Sequence, residues 1–397
     1  MNSKIISQVQ QILKENDLDG WLMYDFQKRN TLAVKFLKLS QESHITRRFF
    51  YYIPQQGDPV KIVHAIEPHF LDEWPGEKKE YVSWKDLINY LRITLSGVKN
   101  VAMEFSPQGM IPYVSFLDVG MADLIRSFGL VIKTSSGFIQ NFTCVLSEFQ
   151  KETHFQAAKV LDTIATETWS YIASQINHKR HVSEYDVQQY IKDRYHHYDC
   201  FSDADPICAV NQNSCNPHYS PSITLSEKIN VGDFIQIDLW CKKNCEGSVY
   251  ADISRVAVAS ATPQKRQQEI FSIVRKAQKD ATDYVEKNCQ STKGLRGCDI
   301  DSVARNVIEL AGFGPYFMHR TGHNIYTDDH GPGTHLDSLE TMDERPIVPG
   351  TLFSIEPGIY LPGEFGVRLE YDVYFSKDKK ITISGGIQEQ IKCLMEK

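Results

Sequence analysis

The chain lacks the long apolar segments and the charge imbalance that mark several classes of protein. Its 397 residues contain no run of 18 apolar residues, so no membrane span is expected. The N-terminal residues lack the apolar core and small-residue cleavage site of a secretory signal peptide. The net charge is −7, which does not favour nucleic acid or an acidic membrane as a partner.

The cysteines lack the spacing of a disulfide framework. There are nine of them, scattered along the chain, and this pattern is typical of reduced thiols in a cytoplasmic protein. Cys241 and Cys245 are close enough in sequence to be a pair of metal ligands. Zinc sites built on cysteine need further ligands at matching spacing, and no second pair is present, so ordinary thiols beside a turn are favoured.

Length and hydrophobic patterning predict two domains of mixed structure. Residues 1–147 alternate short apolar strands with helices and are numerous enough to form a domain. In residues 148–397 we expect a long helix from Glu148, a capped helix from about residue 183, and an irregular stretch over 208–219. Two further helices are expected over 264–287 and 299–311.

Two hairpin-like segments carry the candidate chemistry. The first joins residues 234–239 to 249–254, and the second joins 353–358 to 366–371. In each segment two acids stand fourteen residues apart: Asp238 with Asp252, and Glu356 with Glu370. Residues equidistant from a hairpin's centre face each other with Cβ atoms about 5 Å apart. We therefore expect the two acids of each pair to lie opposite each other on neighbouring strands.

Four acids in largely apolar strands require countercharge, because buried anions lose their hydration. Two divalent cations suit four carboxylates better than one. The segment between the hairpins adds three imidazoles that are candidate ligands or neighbours of such ions: His319, His323 and His330. The residues therefore predict a two-metal site, of the kind that polarises a carbonyl and generates hydroxide at neutral pH.

A set of short motifs in fixed order resembles the pita-bread metallopeptidases, the family of aminopeptidase P, prolidase, methionine aminopeptidase and the creatinase relatives. The motifs are Asn-Pro-His-Tyr at 216–219, Ile-Asp-Leu at 237–239, Tyr-Ala-Asp-Ile-Ser-Arg at 250–255, His-x-x-Gly-His at 319–323, His330, Ile-Glu-Pro-Gly at 355–358 and Gly-Val-Arg-Leu-Glu at 366–370. The resemblance implies an α/β (α+β) protein with a creatinase-like N-terminal domain, as in the aminopeptidase P and prolidase branch. The second domain would be a pita-bread domain, a curved antiparallel sheet flanked by helices.

The resemblance also assigns roles by position. Asp238 and Asp252 would hold one metal and His323 and Glu356 the other, while Asp252 and Glu370 bridge both. A bridging hydroxide would attack the scissile carbonyl, and Glu356 would pass its proton to the leaving amine. The remaining matching residues would bind substrate, steady the oxyanion or support the ligands: His218, His330, His319 and Arg368.

The expected activity is release of an N-terminal residue from Xaa-Pro peptides or dipeptides. The hard ligands suit Mn²⁺, with Zn²⁺, Co²⁺ or Fe²⁺ as alternatives. A small peptide is the expected partner, and the resemblance implies a homodimer. In creatinase-like dimers the N-terminal domain closes over the other subunit's site, so Arg47 or Arg48 is a candidate to grip a substrate carboxylate.

Three departures from the family pattern leave alternatives open. The turn between the two aspartates is longer by a few residues, Arg320 stands where glycine is common, and Tyr326 is also unusual. Because Arg320 and Tyr326 could reshape the substrate pocket, a non-peptidase amidohydrolase or a lyase on the same scaffold stays an alternative. A binding module without catalysis would have lost ligands, and here all five are present. Seven acidic and histidine residues are expected at the surface: His69, His154, His196, His197, Asp328, Asp329 and His335.

Overall fold

The computed structural model describes residues 2–40, 42–291 and 294–396. The chain forms two compact units, Met1–Thr143 and Cys144–Lys397. The predicted domain boundary lies four residues later, after residue 147. Over the ranges described, no helix is long and apolar enough to cross a bilayer.

The first unit is a mixed sheet with helices packed against it. Within the described residues the sheet has six strands in the order β4-β3-β2-β1-β5-β6. The elements are α1 Asn2–Glu15, β1 Gly20–Phe26, α2 Thr31–Leu37, β2 Arg48–Pro54, β3 Val60–His64, β4 Glu77–Tyr81, α3 Trp84–Thr94, β5 Asn100–Met103, α4 Val119–Ser127, β6 Val131–Thr134 and α5 Ser136–Thr143.

Two short 3-10 turns precede helix α4, which starts at Val119. Pro107 and Pro112 each open a short 3-10 turn upstream, since proline cannot donate to a helical ladder. The Asp118 side chain then caps α4 by accepting a hydrogen bond from the amide of Met121.

The second unit contains two larger sheets and a two-stranded ladder, with helices against them. The elements are α6 Glu148–Asn177, α7 Glu184–His197, β7 Cys200–Phe201, β8 Ile207–Val210, β9 Phe234–Lys243, β10 Ala251–Val258, α8 Lys265–Asn288, α9 Gly297–Leu310, β11 Asn324–Ile325, β12 Thr351–Ile355, β13 Gly358–Tyr360, β14 Gly366–Arg368, β15 Tyr371–Phe375, β16 Ile381–Ser384 and β17 Lys392–Cys393.

Apolar stripes on the helices account for their packing. The buried face of α6 belongs to one core with β9 and β10, through residues such as Leu161 and Ile172. Helices α8 and α9 form a second core with β12 to β15. The predicted capping box at residue 183 is confirmed, because Ser183 and Asp186 cap α7 reciprocally. The prediction of an irregular stretch over 208–219 is wrong at its start, because Ile207–Val210 forms strand β8 and pairs with β9.

The first acidic hairpin closes in a different register from the one expected. Strand β10 pairs with β9 so that Asp238 lies opposite Ser254 and Asp252 lies opposite Trp240. The predicted direct pairing of Asp238 with Asp252 is therefore wrong. The ladder starts at the Ala251–Cys241 pair, so the turn is not centred where equal spacing placed it. The displacement is two residues, which keeps both aspartates on one face because side chains alternate with period two.

The second acidic hairpin closes as expected. Ile355 pairs with Tyr371 in the β12–β15 ladder, and Gly358 pairs with Arg368 in the β13–β14 ladder. Both ladders share one register, and the acids lie in the short break between them. Glu356 and Glu370 therefore lie opposite each other at the junction of four strands.

Candidate metal centre

The two hairpins bring four carboxylates into one buried cluster. The residues Asp238, Asp252 and Glu370 expose 6%, 5% and 2% of their surface, and the Glu356 side chain exposes 13%. The Ser254 hydroxyl joins the hairpins, because it contacts Asp238 and lies 3.0 Å from Glu370 Oε2. The cluster therefore contains all four predicted acids.

His323 is the imidazole that reaches the cluster. Its Nε2 lies 3.4 Å from Glu356 Oε1 and 3.8 Å from Asp252 Oδ2. One ligand atom each from Asp252, His323 and Glu370 lie within 4.8 Å of one another, and all three residues are buried. Burial and the positive charges nearby lower the pKa of His323. The neutral imidazole that a metal ion requires is thus the favoured form.

The carboxylates are electrostatically unsatisfied in the protein alone. Burial, followed by the charge of Glu370, raises the pKa of Asp252 well above its usual range. Burial and the charge of Glu356 do the same to Glu370. Among the described residues, Asp252 Oδ1 and Glu370 Oε1 have no hydrogen-bond partner. Buried anionic oxygens without donors fit divalent cations, so the residues present match the metals that the motifs imply.

Arg368 partly offsets this negative charge from one side. Its guanidinium contacts Asp238, lies 2.9 Å from Ser254 Oγ and donates to the Tyr360 hydroxyl at 3.3 Å. That hydroxyl lies 2.7 Å from His319 Nε2. Since His319 Nδ1 donates to the carbonyl oxygen of Arg320, Nε2 accepts from Tyr360. Arg368 and His319 therefore belong to one hydrogen-bonded chain that borders the carboxylates.

Asp301 on α9 anchors the segment that carries His319 and His323. This fully buried carboxylate accepts hydrogen bonds from the amide and hydroxyl of Thr321, at 2.9 and 2.6 Å, and from those of Ser338. Arg305 binds both oxygens, at 3.0 and 3.1 Å. Two residues beyond Thr321, the backbone amide of His323 donates to Ser354 Oγ. The imidazole is therefore held from α9 and from β12.

Glu184 performs the same task for the loop that carries His218. It is fully buried at the start of α7 and accepts hydrogen bonds from the amide of Val210 and the side chains of Asn213 and Tyr219. His218 itself is exposed. Its charge contributes to lowering the pKa of His330, to about 4, where burial and Arg320 act more strongly.

His330 lies against the cluster without belonging to its core. Its ring centroid is 4.1 Å from that of His323, and its side chain is 55% exposed. Asp329 was expected at the surface, but its side chain is only 25% exposed, and a carboxylate oxygen lies within 4.8 Å of ligand nitrogens of His323 and His330. Burial and the charge of Glu356 raise its pKa to about 8. The structure therefore adds a fifth acid beside the four that the sequence identified.

Two histidines expected at the surface are buried, so those predictions are wrong. His335 is inaccessible, and its Nδ1 accepts a hydrogen bond from the amide of Asn324, the residue after His323. His154 is also inaccessible and links the Tyr250 carbonyl to Ser384. Both make contacts with residues distant in sequence, for which the chain gives no local signal. His69 is exposed as expected.

The N-terminal arginines point in different directions. The Arg48 guanidinium lies over the rings of Phe26 and Trp84, at 5.6 and 5.5 Å. Arg47 precedes β2 and donates to Thr46 Oγ1 at 2.7 Å. Both arginines are exposed, and their predicted role in gripping a substrate carboxylate stays a prediction.

Comparison with known proteins identifies the architecture. A model of metallopeptidase family M24 matches residues 152–377. The Xaa-Pro dipeptidase of Lactobacillus helveticus is 33% identical over 174 residues, which is 44% of this chain and 43% of the relative. The Xaa-Pro dipeptidase of Pyrococcus furiosus is 33% identical over 180 residues, 45% of this chain and 47% of the relative. The matched segments therefore span less than half the length of these curated relatives.

The fold likeness covers nearly the whole chain. The crystal structure of a recombinant prolidase from Thermococcus sibiricus superposes with a TM-score of 0.64 and 22% identity, covering 99% of each chain. At this identity the likeness shows the fold alone. The predicted fold class, an α/β N-terminal domain followed by a pita-bread domain, is confirmed.

Proposed function

Since the chain belongs to metallopeptidase family M24, we propose that it hydrolyses small Xaa-Pro peptides at a centre of two divalent metal ions. The observation that carries this proposal is the buried carboxylate cluster, with unpartnered oxygens on Asp252 and Glu370 and the His323 imidazole beside them. Unpaired buried anions are costly in a folded protein unless cations accompany them. A cluster built this way serves metal binding better than it serves stability.

Five side chains would hold the ions: Asp238, Asp252, His323, Glu356 and Glu370. Oxygen donors predominate, which favours Mn²⁺ over softer ions. When bound, such ions supply Lewis-acid polarisation of a carbonyl and a hydroxide at neutral pH. Asp238 is held by Arg368 and Ser254, but each carboxylate oxygen has a second lone pair that remains for a metal.

The chain's own residues then bind the peptide and move protons. Glu356 lies beside His323 with 13% of its side chain exposed, and it would take a proton and return it to the leaving amine. His330 and His218, whose side chains are accessible, would donate hydrogen bonds to the substrate carbonyl oxygen as negative charge develops. Arg368 and His319 hold this frame in one orientation.

The preference for proline is inferred from the relatives named Xaa-Pro dipeptidase. A homodimer with Arg47 reaching a substrate carboxylate would extend this preference to short peptides with a free C-terminus. Arg48 is the less suitable of the two arginines, because its guanidinium already packs on aromatic rings of its own unit.

A substrate panel tests the proposal. Protein loaded with Mn²⁺ should cleave Xaa-Pro dipeptides or Xaa-Pro-Xaa peptides and should leave matched Xaa-Ala peptides largely intact. The Glu356→Ala variant should lose turnover by at least about 100-fold while its circular dichroism is unchanged. Activity of this variant within tenfold of wild type would refute the role of Glu356. Turnover of amides other than peptides, with none of Xaa-Pro, would favour an amidohydrolase on the same scaffold.

A further inference from the structure

Arg320 is a buried cation beside the proposed site, at a position for which the metal-site motifs give no role. The residue is 8% exposed, and its backbone amide donates to Glu340 Oε1 at 3.1 Å. Its Nη2 lies 3.1 Å from Nδ1 of His330. Its charge also opposes the rise in the pKa of Glu356.

The contact between Arg320 and His330 fixes which nitrogen of the imidazole carries the proton. An arginine side chain has only N–H donors and stays protonated in proteins. Nδ1 of His330 must therefore accept the hydrogen bond from Nη2. In the neutral ring the proton then resides on Nε2, which lies 3.7 Å from Asp329 Oδ2.

The same imidazole belongs to a second potential metal-binding set. One ligand atom each from His323, Asp329 and His330 lie within 4.8 Å of one another. Over the ranges that the structure describes, Asp329 Oδ1 is buried and has no hydrogen-bond partner. Two imidazoles and a carboxylate suit Zn²⁺, with bond lengths of about 2.0–2.2 Å. His323 also belongs to the oxygen-rich set, and one imidazole nitrogen binds one ion, so the two sets exclude each other.

We propose that Arg320 is a positioning residue that keeps His330 as an Nε2–H donor toward substrate and out of a competing metal site. The ring can bind a metal through Nε2 only as the Nδ1–H tautomer, and that tautomer would direct its proton at the guanidinium. Arg320 thus protects the proposed two-metal centre from a zinc ion that would draw His323 away from it. This inference rests on the proposed function for its catalytic part only, because metal selection is a property of the folded protein.

Two substitutions separate the donor property of Arg320 from its bulk. Lysine retains a positive donor that cannot accept a hydrogen bond, so Arg320→Lys should keep the tautomer. Glutamine is neutral and can either donate or accept a hydrogen bond, so in Arg320→Gln the His330 ring should be free to adopt either tautomer. Zinc affinity is measured by equilibrium dialysis of the full-length, Mn²⁺-loaded protein against Zn²⁺. Steady-state kinetics on an Xaa-Pro dipeptide accompany it, with unfolding curves to confirm that each variant is folded.

We expect Arg320→Gln to bind Zn²⁺ at least about tenfold more tightly than wild type, and to lose kcat by about tenfold or more with little change in KM. Arg320→Lys should remain close to wild type in both. Adding His330→Gln to Arg320→Gln should abolish the gain in zinc affinity, since the third ligand is then missing. If Arg320 only stabilised the fold, its replacement would not raise the zinc affinity in a way that depends on His330.

Equal zinc affinity of wild type and Arg320→Gln would overturn the inference, as would a gain that survives loss of His330. If the protein proves inactive on every peptide, the zinc measurement still decides the role of Arg320. If peptides are cleaved and zinc affinity is unchanged, the inference fails while the proposed function stands.

Discussion

Replacing Asp301 with Asn should damage both the stability and the metal affinity of the second unit. The carboxylate accepts hydrogen bonds on both oxygens from Thr321, Ser338 and Arg305. An Asn side chain turns one oxygen into a donor, which must then face a backbone N–H and one arm of Arg305. The negative charge that balances this guanidinium, 11% exposed, is also removed.

The magnitude follows from that burial. Removing one partner of a buried ion pair costs about 3–5 kcal/mol, because the other charge is left uncompensated. Thr321 would lose its anchor, and His323 lies two residues beyond it. Groups that orient a metal ligand typically contribute about 10–100-fold to metal affinity. We therefore expect a loss of about 3 kcal/mol or more in urea unfolding, and weaker Mn²⁺ binding in titration calorimetry.

Asp299→Asn is the matched control, since it lies on the same helix and breaks an ion pair with Arg296 at 2.7 Å. Those side chains are 46% and 32% exposed, so the expected cost is at most about 1 kcal/mol. Metal affinity should be unchanged. If Asp301→Asn behaves like Asp299→Asn in both measurements, the reasoning that ties α9 to the metal centre is refuted.

Three further predictions concern other parts of the chain. Burial raises the pKa of Glu104 from 4.5 to about 7, so the folded protein holds this proton more tightly than the unfolded chain does. Wild type should therefore lose about 3 kcal/mol of unfolding free energy relative to Glu104→Gln as the pH rises from 4.5 to 7. Urea unfolding measures this loss, and parallel pH profiles of the two proteins would contradict it. His330→Ala should lower turnover and keep its bound Mn²⁺, and loss of that metal on dialysis would refute the donor role. Arg47→Ala should raise KM for peptides with a free carboxylate far more than for C-terminally amidated ones, and an equal effect on both would exclude that role.

The sequence predicted that the four acids cluster because their positions in the hairpins obey short-range rules. Two acids equidistant from a turn must share a face of a hairpin, which places Glu356 opposite Glu370. For Asp238 and Asp252 the same rule gave the correct face and the wrong partner, since each pairs with a residue two positions from the expected one. The face on which a strand residue lies changes only when the register shifts by an odd number of residues. The face can therefore be predicted correctly even where the predicted partner is wrong.

The supporting residues could not be predicted because their partners are distant in the chain. Asp301 and Glu184 each hold a loop 20 or more residues away, and both look in the sequence like ordinary helical acids. Ser254 follows a predicted ligand by two residues, and the alternation of a strand would have placed it on the same face. Arg320 was noticed as unusual, but its contact with His330 depends on the path of the loop between them.

Metal analysis of the purified protein tests the central claim most directly. Protein dialysed against excess Mn²⁺ and then against metal-free buffer should retain close to two equivalents per chain, because four buried carboxylates and one imidazole provide ligands for two ions. Fewer than one equivalent, in protein whose fold is intact by circular dichroism, would contradict the two-metal centre.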